Sequence, residues 1–227
     1  MNNYIKIKNL TKKYEKTKSI KVLNDISFNF EYGKTYSIMG PSGSGKSTLL
    51  NLLSLIDKPT TGSIEISSNK IKSINKVEND LIRAKKIGII YQDKNLLSDF
   101  TALENVYLPN LLVSKEKQKS IELAKKLLKN VGMSSRINHF PNELSGGENQ
   151  RIAIARALIN DPDIILADEP TGSLDSDYAK LIFKILFNLK NKNRIIIFAT
   201  HNRYFANMAD CKIMMNDGNI QIINATI

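Results

Sequence analysis

The sequence predicts an α/β fold with a mostly parallel sheet, an N-terminal antiparallel β layer and an inserted α-helical subdomain. Three observations support this prediction. Short segments typical of buried strands recur at 35–39, 87–91, 163–168 and 194–199, and the last three are mostly apolar. Alternating apolar and polar residues fill much of the first thirty positions, as half-buried antiparallel strands do. Apolar residues at helical spacing prevail from residue 93 to about residue 160.

Two alternating segments open the chain, at 4–10 and 22–30, and a turn at Tyr32-Gly33 closes the second. Their alternation predicts two strands paired in an antiparallel layer. The residues at 60–63 predict a further turn, which leads into a short strand at 64–66.

A glycine-rich loop follows the segment at 35–39 and precedes a helical run at 48–53. The loop matches the pattern G-x-x-x-x-G-K-[ST] in full. Its residues are Gly40, Pro41, Ser42, Gly43, Ser44, Gly45, Lys46, Ser47 and Thr48. In such a loop glycines let backbone N–H groups surround phosphates, the lysine adds positive charge, and the Ser47 hydroxyl can bind Mg²⁺. The order strand, loop and helix therefore predicts a P-loop NTPase core.

The nucleotide-binding core is predicted to be split in sequence, within a single domain spanning 1–227. Residues 1–91 and 161–227 form the core, and 92–160 form the inserted helical subdomain. One helix of this subdomain is predicted to have Ser114 as its N-cap and to end at Gly132. Its apolar residues are Ile121, Ala124, Leu127, Leu128 and Val131.

The parallel pattern returns with the run at 163–168, which is followed by a helix and then by the strand at 194–199. The helix is predicted to carry its apolar residues on one face. These residues are Leu181, Ile182, Ile185, Leu186 and Leu189. An Asp217-Gly218 turn between two apolar segments predicts a closing hairpin.

Two acidic residues end the apolar run at 163–168. Asp168 is a hard carboxylate ligand suited to Mg²⁺, and Glu169 follows where a general base could polarise an attacking water. Alone, an acidic pair at a strand end is more often a cap or a salt bridge. The P-loop upstream favours the catalytic interpretation.

The LSGGE segment, residues 144–148, is followed by a predicted helix at 149–159. Ser145, Gly146 and Gly147 therefore lie at a second helix N-terminus with N–H groups able to bind an anion. The alternative is a serine-capped helix with Glu148 in its first turn.

Composition limits the function classes. The formal net charge of +11 would suit binding to nucleic acid or to acidic lipid. The lysines are scattered, however, which favours a solvated surface, with a charged face near a membrane as the alternative.

The single cysteine, Cys211, excludes an internal disulfide and a cysteine-based zinc cluster. No apolar run approaches the roughly 18 residues that span a bilayer, and residues 1–4 open no signal-peptide core, so we expect a soluble, non-secreted chain.

Together these motifs resemble those of ABC transporter ATPases, over nearly the whole chain and in the same order. The motifs are the P-loop, Gln92, residues 144–148, Asp168-Glu169, Ser173-Leu174-Asp175 and His201. The resemblance implies a two-lobed ATP-binding domain that works as a head-to-tail homodimer, with two ATP molecules and their Mg²⁺ at the interface. It also implies that the LSGGE segment grips the γ-phosphate bound to the other subunit's P-loop.

The same resemblance implies roles for four further residues. Tyr14 is similar to the aromatic residue that stacks on adenine, although a strand-edge tyrosine is the alternative. Gln92 resembles the glutamine that contacts Mg²⁺ and the attacking water and reports on the transmembrane partner. Asp175 resembles the aspartate of a loop crossing the dimer interface, although it could simply cap a helix. His201 resembles the switch histidine that holds the γ-phosphate and orients Glu169.

A narrower resemblance, carried by residues 91–109 and 166–175, is to the lipoprotein-releasing ATPase (LolD) group, near the macrolide-exporter and FtsE-type ATPases. It implies integral membrane subunits as partners, a peripheral position at the cytoplasmic face of the inner membrane, and release of lipoproteins by mechanotransmission. The sequence departs from the usual pattern at Tyr91, Asp93-Lys94 and Asn149.

Three alternatives to lipoprotein release stay open. The first is the ATPase of a macrolide or peptide exporter or of an FtsE-type cell-division complex. The second is an ABC ATPase acting on DNA or ribosomes; such chains carry coiled-coil or zinc-bearing insertions or two cassettes, which this one lacks, so no specific nucleic acid is expected. The third, a catalytically idle binding module, would predict the loss of Glu169, Lys46 or His201, and all three are present.

Overall fold

The computed structural model describes residues 3–15, 19–67, 69–71, 76–172 and 174–225. These residues fall into two compact units. Unit 1 comprises Met1–Arg83 with Lys190–Ile227, and unit 2 comprises Ala84–Leu189. Both contain parallel strands and helices, as an α/β fold requires.

An antiparallel sheet begins unit 1. Its strands are β1 (Asn3–Glu15), β2 (Ser19–Glu31), β4 (Thr61–Ile66) and β5 (Asn69–Lys70). Their order in the sheet is β2-β1-β4-β5. Alternation explains the sheet, because Ile5 and Ile7 are fully buried while Lys8 is exposed. The predicted antiparallel pairing of the first two strands is confirmed.

The second sheet of unit 1 holds the strand that precedes the P-loop. Its strands are β3 (Thr35–Met39), β8 (Ile195–Ala199), β9 (Cys211–Asn216) and β10 (Asn219–Ala225). The order is β10-β9-β3-β8, with β3 parallel to both neighbours and β9 antiparallel to β10. Every residue of β3 and β8 is buried, which explains the uninterrupted apolar sequence of β8. In β3 the buried Thr35 and Ser37 hydroxyls are hydrogen-bonded, to Asp210 and to Ala206 O respectively.

Among the residues that the structure describes, three helices lie outside both the 93–160 region and the later helix at Ser176–Asn188. They are α1 (Lys46–Leu53), α2 (Lys76–Lys86) and α7 (Arg203–Ala206). In α1 the leucines at 49, 50, 52 and 53 are buried, so the apolar run after the P-loop anchors the helix and with it the loop.

The described part of unit 2 pairs two parallel strands with four helices that lie wholly within it. The strands are β6 (Ile87–Ile90) and β7 (Ile164–Asp168). The helices are α3 (Ala102–Ser114), α4 (Lys117–Asn130), α5 (Gly146–Leu158) and α6 (Ser176–Asn188), and two 3-10 turns lie at Ser134–Arg136 and Pro141–Glu143. Buried residues of α3, α4 and α5 form one apolar cluster, which includes Val106, Leu128 and Ile152.

Two details of the predicted helices are wrong. Ser114 is the last residue of α3 rather than the N-cap of α4, because Lys115 takes a left-handed φ of 60° that ends the helix there; Glu116 is the N-cap of α4. Leu181 is 39% exposed, so the buried face of α6 is formed instead by Ala179, Ile182, Phe183 and Leu186. Gly132 ends α4 as predicted, at a φ of 71°.

None of the helices among the described residues combines the length and the apolar character needed to cross a membrane.

Candidate functional site

The P-loop joins β3 to α1 in unit 1, and its glycines have different reasons to be glycine. Gly40 has a φ of 154°, and a Cβ there would collide with the carbonyl oxygen of Met215 in β9. Gly43 has a φ of 79° but open space around it, so the positive φ alone requires glycine. At Gly45, with a φ of 103°, a Cβ would lie 2.9 Å from Leu23. The loop is therefore shaped by close packing at both ends and left open in the middle.

The start of α1 suits an anion. Gly45 is its N-cap and no side chain caps the helix. The first helical hydrogen bond runs from Leu49 N to Gly45 O, at 2.9 Å, so earlier N–H groups have no partner within the helix. These N–H groups carry the positive end of the helix dipole and can bind phosphate oxygens.

Lys46 and Ser44 supply side chains to the same loop. The Lys46 ammonium donates to the carbonyl oxygens of Gly40 and Pro41, at 2.8 and 2.9 Å, and so lies within the loop. Ser44 is 2% exposed, and among the described residues its hydroxyl has no hydrogen-bond partner. A buried hydroxyl without a partner is costly, and a phosphate oxygen would satisfy it. Ser47 is exposed, and Thr48 is half-buried on the first turn of α1.

Tyr14 is held at the edge of β1 by a network that local sequence patterns did not predict. Its hydroxyl donates to Asp57 at 2.8 Å, and the Lys12 ammonium lies 4.7 Å from the centre of its ring. Lys12 also donates to Asp57 at 2.6 Å. Burial and the Asp57 contact raise the pKa of the Tyr14 hydroxyl. For Asp57, burial acts to raise the pKa, but hydrogen bonds from Lys12, Tyr14 and the Lys58 backbone outweigh it, so the pKa is lowered.

His201 lies at the same sheet edge as the P-loop. Strands β3 and β8 are parallel, with Ile38 opposite Ala199, so the chain leaves both strands at the same edge. The backbone N–H of Thr200 donates to Ile38 O at 3.1 Å, which ties this segment to the end of β3. His201 itself is exposed. Unit 1 thus brings His201 and the P-loop to adjacent strand ends.

In unit 2, Gln92 and Asp168-Glu169 follow adjacent parallel strands. Ile90 of β6 pairs with Ala167 of β7, so both segments leave the sheet at one edge. A Cβ built at Gly172 would lie 3.9 Å from Gln92 Nε2 and 3.5 Å from Glu169 Cβ. The side chains of Gln92 and Glu169 therefore both lie beside Gly172. Glu169 has a left-handed φ of 43°, an uncommon conformation for a non-glycine residue that costs about 1–3 kcal/mol.

The LSGGE segment forms the N-terminus of α5. Ser145 is the N-cap: its hydroxyl accepts from Glu148 N at 3.3 Å while the Glu148 carboxylate accepts from Ser145 N at 2.9 Å. This capping box, chiefly through the Ser145 backbone N–H, lowers the pKa of Glu148. Gly146 is exposed, whereas a Cβ at Gly147 would lie 3.1 Å from the ring of Tyr178. Both predicted interpretations of this segment are therefore compatible with the geometry.

Asp175 caps α6, because its carboxylate accepts from the backbone N–H groups of Asp177 and Tyr178, both at 3.1 Å. This is the helix-cap alternative considered for Asp175, whose side chain is exposed. Ser173, which belongs to the same sequence motif, lies outside the described residues.

Comparison with known proteins assigns the family. A model of the ABC transporter family matches residues 23–172. The lipoprotein-releasing system ATP-binding protein LolD of Rickettsia bellii is 44% identical over 211 residues, which cover 92% of this chain and 93% of that protein. An uncharacterized ABC transporter ATP-binding protein of Methanocaldococcus jannaschii, MJ1508, is 45% identical over 97% of this chain and 99% of its own length.

A solved structure of the same architecture is the dimeric post-hydrolysis state of the ATP-binding cassette MJ0796 bound to ADP and Pi. It superposes with a TM-score of 0.89 at 39% identity, covering 97% of this chain and 98% of that one. The predicted α/β fold with a P-loop NTPase core is confirmed by this likeness. With relatives of the LolD group matching along most of the chain, the protein belongs to the ABC transporter family, as the ATP-hydrolysing subunit of a transporter in the LolD group.

Proposed function

We propose that this ATPase powers the release of lipoproteins from the inner membrane by passing its movements to membrane subunits. The observation that carries the proposal is the 44% identity to a lipoprotein-releasing system ATP-binding protein over 92% of the chain. Further proteins of that name match at 43% over 88% and 98% of the chain. An ATPase that matches such proteins from end to end fits the same kind of assembly.

The proposed hydrolysis divides into binding and water activation. The P-loop N–H groups and Lys46 bind the phosphates of ATP, and Tyr14 stacks on the adenine. Glu169 accepts a proton from the attacking water as that water adds to the γ-phosphorus and ADP leaves. Gln92 contacts the attacking water, and His201 holds the γ-phosphate and orients Glu169. The adjacent strand ends of Gln92 and Glu169, and of His201 and the P-loop, support these roles.

Mg²⁺ fits the oxygen donors available. Ser47, Gln92 and Asp168 are the proposed ligands, and hydroxyl, amide and carboxylate oxygens are what this hard cation prefers. When bound, the cation neutralises charge on the phosphates as the γ-phosphoryl group departs. Asp168 is half-buried and Ser47 is exposed.

The working form is proposed to be a head-to-tail homodimer. Ser145, Gly146 and Gly147 would bind the γ-phosphate held by the partner copy's P-loop, and Asp175 would lie at the dimer interface. The exposed Ser145 and Gly146 at the start of α5 suit an anion arriving from outside the chain. Two solved structures of the cassette MJ0796, which is similar to this chain, are described as dimeric.

Membrane attachment is proposed to be peripheral, at the cytoplasmic face of the inner membrane and through integral membrane subunits. Residues 92–160, inserted between two halves of the nucleotide-binding core, are proposed to be the subdomain that contacts these subunits. When ATP closes the dimer, the movement of this subdomain would then displace the membrane subunits.

The test is capture of the membrane partner. A tagged Glu169→Gln chain is pulled from gently solubilised membranes with ATP present, and the proteins that accompany it are identified. We expect a membrane protein with few spans, a large domain beyond the membrane, and bound lipoprotein. The matched control is the same chain without ATP.

Other outcomes contradict the proposal in defined ways. A partner of that build without lipoprotein would instead indicate a macrolide-type or peptide exporter or a cell-division complex. Ribosomes or DNA without any membrane protein would contradict a transport role altogether.

A further inference from the structure

The loop that carries Gln92 is held in unit 2 by a side chain of α5. The guanidinium of Arg156 donates from Nη2 to Lys94 O and from Nη1 to Asn95 O, both at 2.6 Å. Two donors of one planar group thus bind two consecutive carbonyls, an arrangement that lysine cannot reproduce. Burial lowers the pKa of Arg156, but arginine stays protonated in proteins, so both hydrogen bonds are charge-assisted.

The two residues held by Arg156 are strained. Lys94 and Asn95 have left-handed φ values of 58° and 47°, and neither is glycine. Consecutive non-glycine residues in this region need outside support to persist. The backbone adds a short hydrogen bond from Asn95 N to Asp93 O, at 2.6 Å. Arg156 is therefore well placed to stabilise an unfavourable turn two residues after Gln92.

A second side chain holds the far end of the same loop. Asn105 of α3 is 1% exposed, and its amide oxygen accepts from Leu97 N at 2.7 Å. Its amide nitrogen lies within 3.0 Å of the carbonyl oxygens of Leu97, Phe100 and Thr101. Asn105 thus holds the far part of the loop, and Arg156 contacts the part nearest to Gln92.

Ser145 is the N-cap of the helix that carries Arg156. Arg156 lies eleven positions after it, a rise of about 16 Å along the helix. Between them lie four fully buried residues, Ile152, Ala153, Ile154 and Ala155, which anchor the middle of the helix. Arg156 therefore holds the loop at Lys94 and Asn95 from a firmly anchored element.

We propose that Arg156 is a positioning residue that holds the Gln92 loop in its strained conformation against α5, the helix that follows the LSGGE segment. This rests on the proposed function, in which Gln92 serves the chain's own ATP and Ser145 serves the ATP of the partner copy. A loop released from Arg156 would misplace Gln92 at the chain's own ATP.

The first test is local hydrogen exchange in the nucleotide-free chain. Arg156→Lys loses one of the two hydrogen bonds, and we expect amides near residues 93–97 to exchange about tenfold faster, with little change elsewhere in α5. Arg151→Lys is the matched control, because Arg151 lies on the same helix and donates to a different carbonyl, Val131 O, at 3.4 Å. Unchanged exchange at 93–97 in Arg156→Lys would overturn the proposal.

The second test is rescue by glycine. In a Glu169→Gln background, Arg156→Lys should raise the ATP concentration needed for dimerisation about tenfold, and adding Lys94→Gly with Asn95→Gly should restore it. Glycine takes a positive φ without support, so it removes the need for the arginine. If Arg156 acted only through the overall stability of the fold, the glycine pair would give no rescue. The glycine pair should likewise leave the ATP requirement of the Arg151→Lys variant unchanged. If Arg156→Lys alone fails to fold, its introduction into the Lys94→Gly, Asn95→Gly chain supplies the same comparison.

The two tests separate this inference from the function on which it rests. If the Glu169→Gln parent does not dimerise with ATP, the proposed function fails, while the exchange measurement still decides whether Arg156 holds the loop. If the parent dimerises and the glycine pair restores nothing, the positioning proposal fails alone.

Discussion

Glu169 shows at the scale of one residue how the chain combines position and strain. It follows β7 directly after Asp168, and its left-handed φ of 43° turns the chain sharply at the strand end. The Gly172 N–H donates back to Glu169 O at 3.0 Å, which closes the turn. Strained residues of this kind occur disproportionately at active sites.

Glu169→Gln should bind ATP and dimerise but hydrolyse slowly, because the amide keeps the shape of the side chain and cannot accept the proton. We expect turnover to fall by roughly 10²- to 10⁴-fold with ATP affinity little changed. Glu122→Gln, on the exposed face of α4, is the control and should hydrolyse at the normal rate. Near-normal turnover in Glu169→Gln would refute the role given to Glu169.

Local sequence was sufficient for residues whose role follows from their neighbours in the chain. Lys46 and Glu169 were found because a glycine-rich loop and a strand end define them. Asp57 and Arg156 were not found, because each forms its hydrogen bond with a residue more than forty positions away. These residues are Tyr14 and Lys94 respectively. No spacing rule connects such pairs before the fold is known.

At the scale of one element, α5 carries both a conventional cap and the LSGGE segment. Ser145 and Glu148 form a reciprocal capping box, and Arg136 holds Glu148 from outside at 3.3 Å. The Asn149 amide donates to Pro141 O at 2.9 Å and to Leu144 O at 3.3 Å. The helix start is thus fixed from both sides, which suits a segment proposed to meet a second chain.

Ser145→Arg should block ATP-driven dimerisation while leaving ATP binding to the chain's own P-loop intact. The large cation would occupy the space proposed for the γ-phosphate of the partner copy. Light scattering and nucleotide titration measure the two properties separately. Ser145→Ala is the control, since it also loses the cap, at a cost of about 1 kcal/mol, but adds no bulk. Loss of primary ATP binding in Ser145→Arg would mean that the segment is not a contact between copies.

Element boundaries were less predictable than element types. The buried strands β3, β6, β7 and β8 were expected where they occur, and their bounds agree within one residue. By contrast, β1 was expected to end at residue 10 and runs to Glu15, and α2 and α7 were not predicted. Ser114 was misplaced because a serine before a helical run is a normal N-cap, and nothing local reveals that Lys115 adopts the left-handed conformation.

At the scale of the whole molecule, a few tethered carboxylates oppose a large positive charge. Asp57, Glu104, Glu148 and Asp210 all have lowered pKa values in the folded state. For Asp210 burial acts in the opposite sense, but hydrogen bonds from Lys190 and Thr35 outweigh it. Protonation removes these interactions and adds to a formal charge that is already +11 at pH 7.

The free energy of unfolding should therefore fall steeply on acidification. A carboxyl with a lowered folded pKa contributes stability above its unfolded pKa, near 4, and loses it as the pH drops toward the folded value. Urea titrations at pH 7, 5, 4 and 3 measure the effect. Asp210→Asn should be less stable at pH 7 and show a shallower loss below pH 5. A slope identical to that of the unaltered chain would contradict the contribution assigned to Asp210.

The strained turn at Glu169 also has an evolutionary consequence. Glycine, and to a lesser degree asparagine, adopts a positive φ more readily than glutamate, so either substitution would relieve part of about 1–3 kcal/mol stored there. A laboratory selection for heat resistance alone should therefore accumulate inactive variants at this position. Keeping glutamate at residue 169 would require the host's continued need for turnover rather than any requirement of folding.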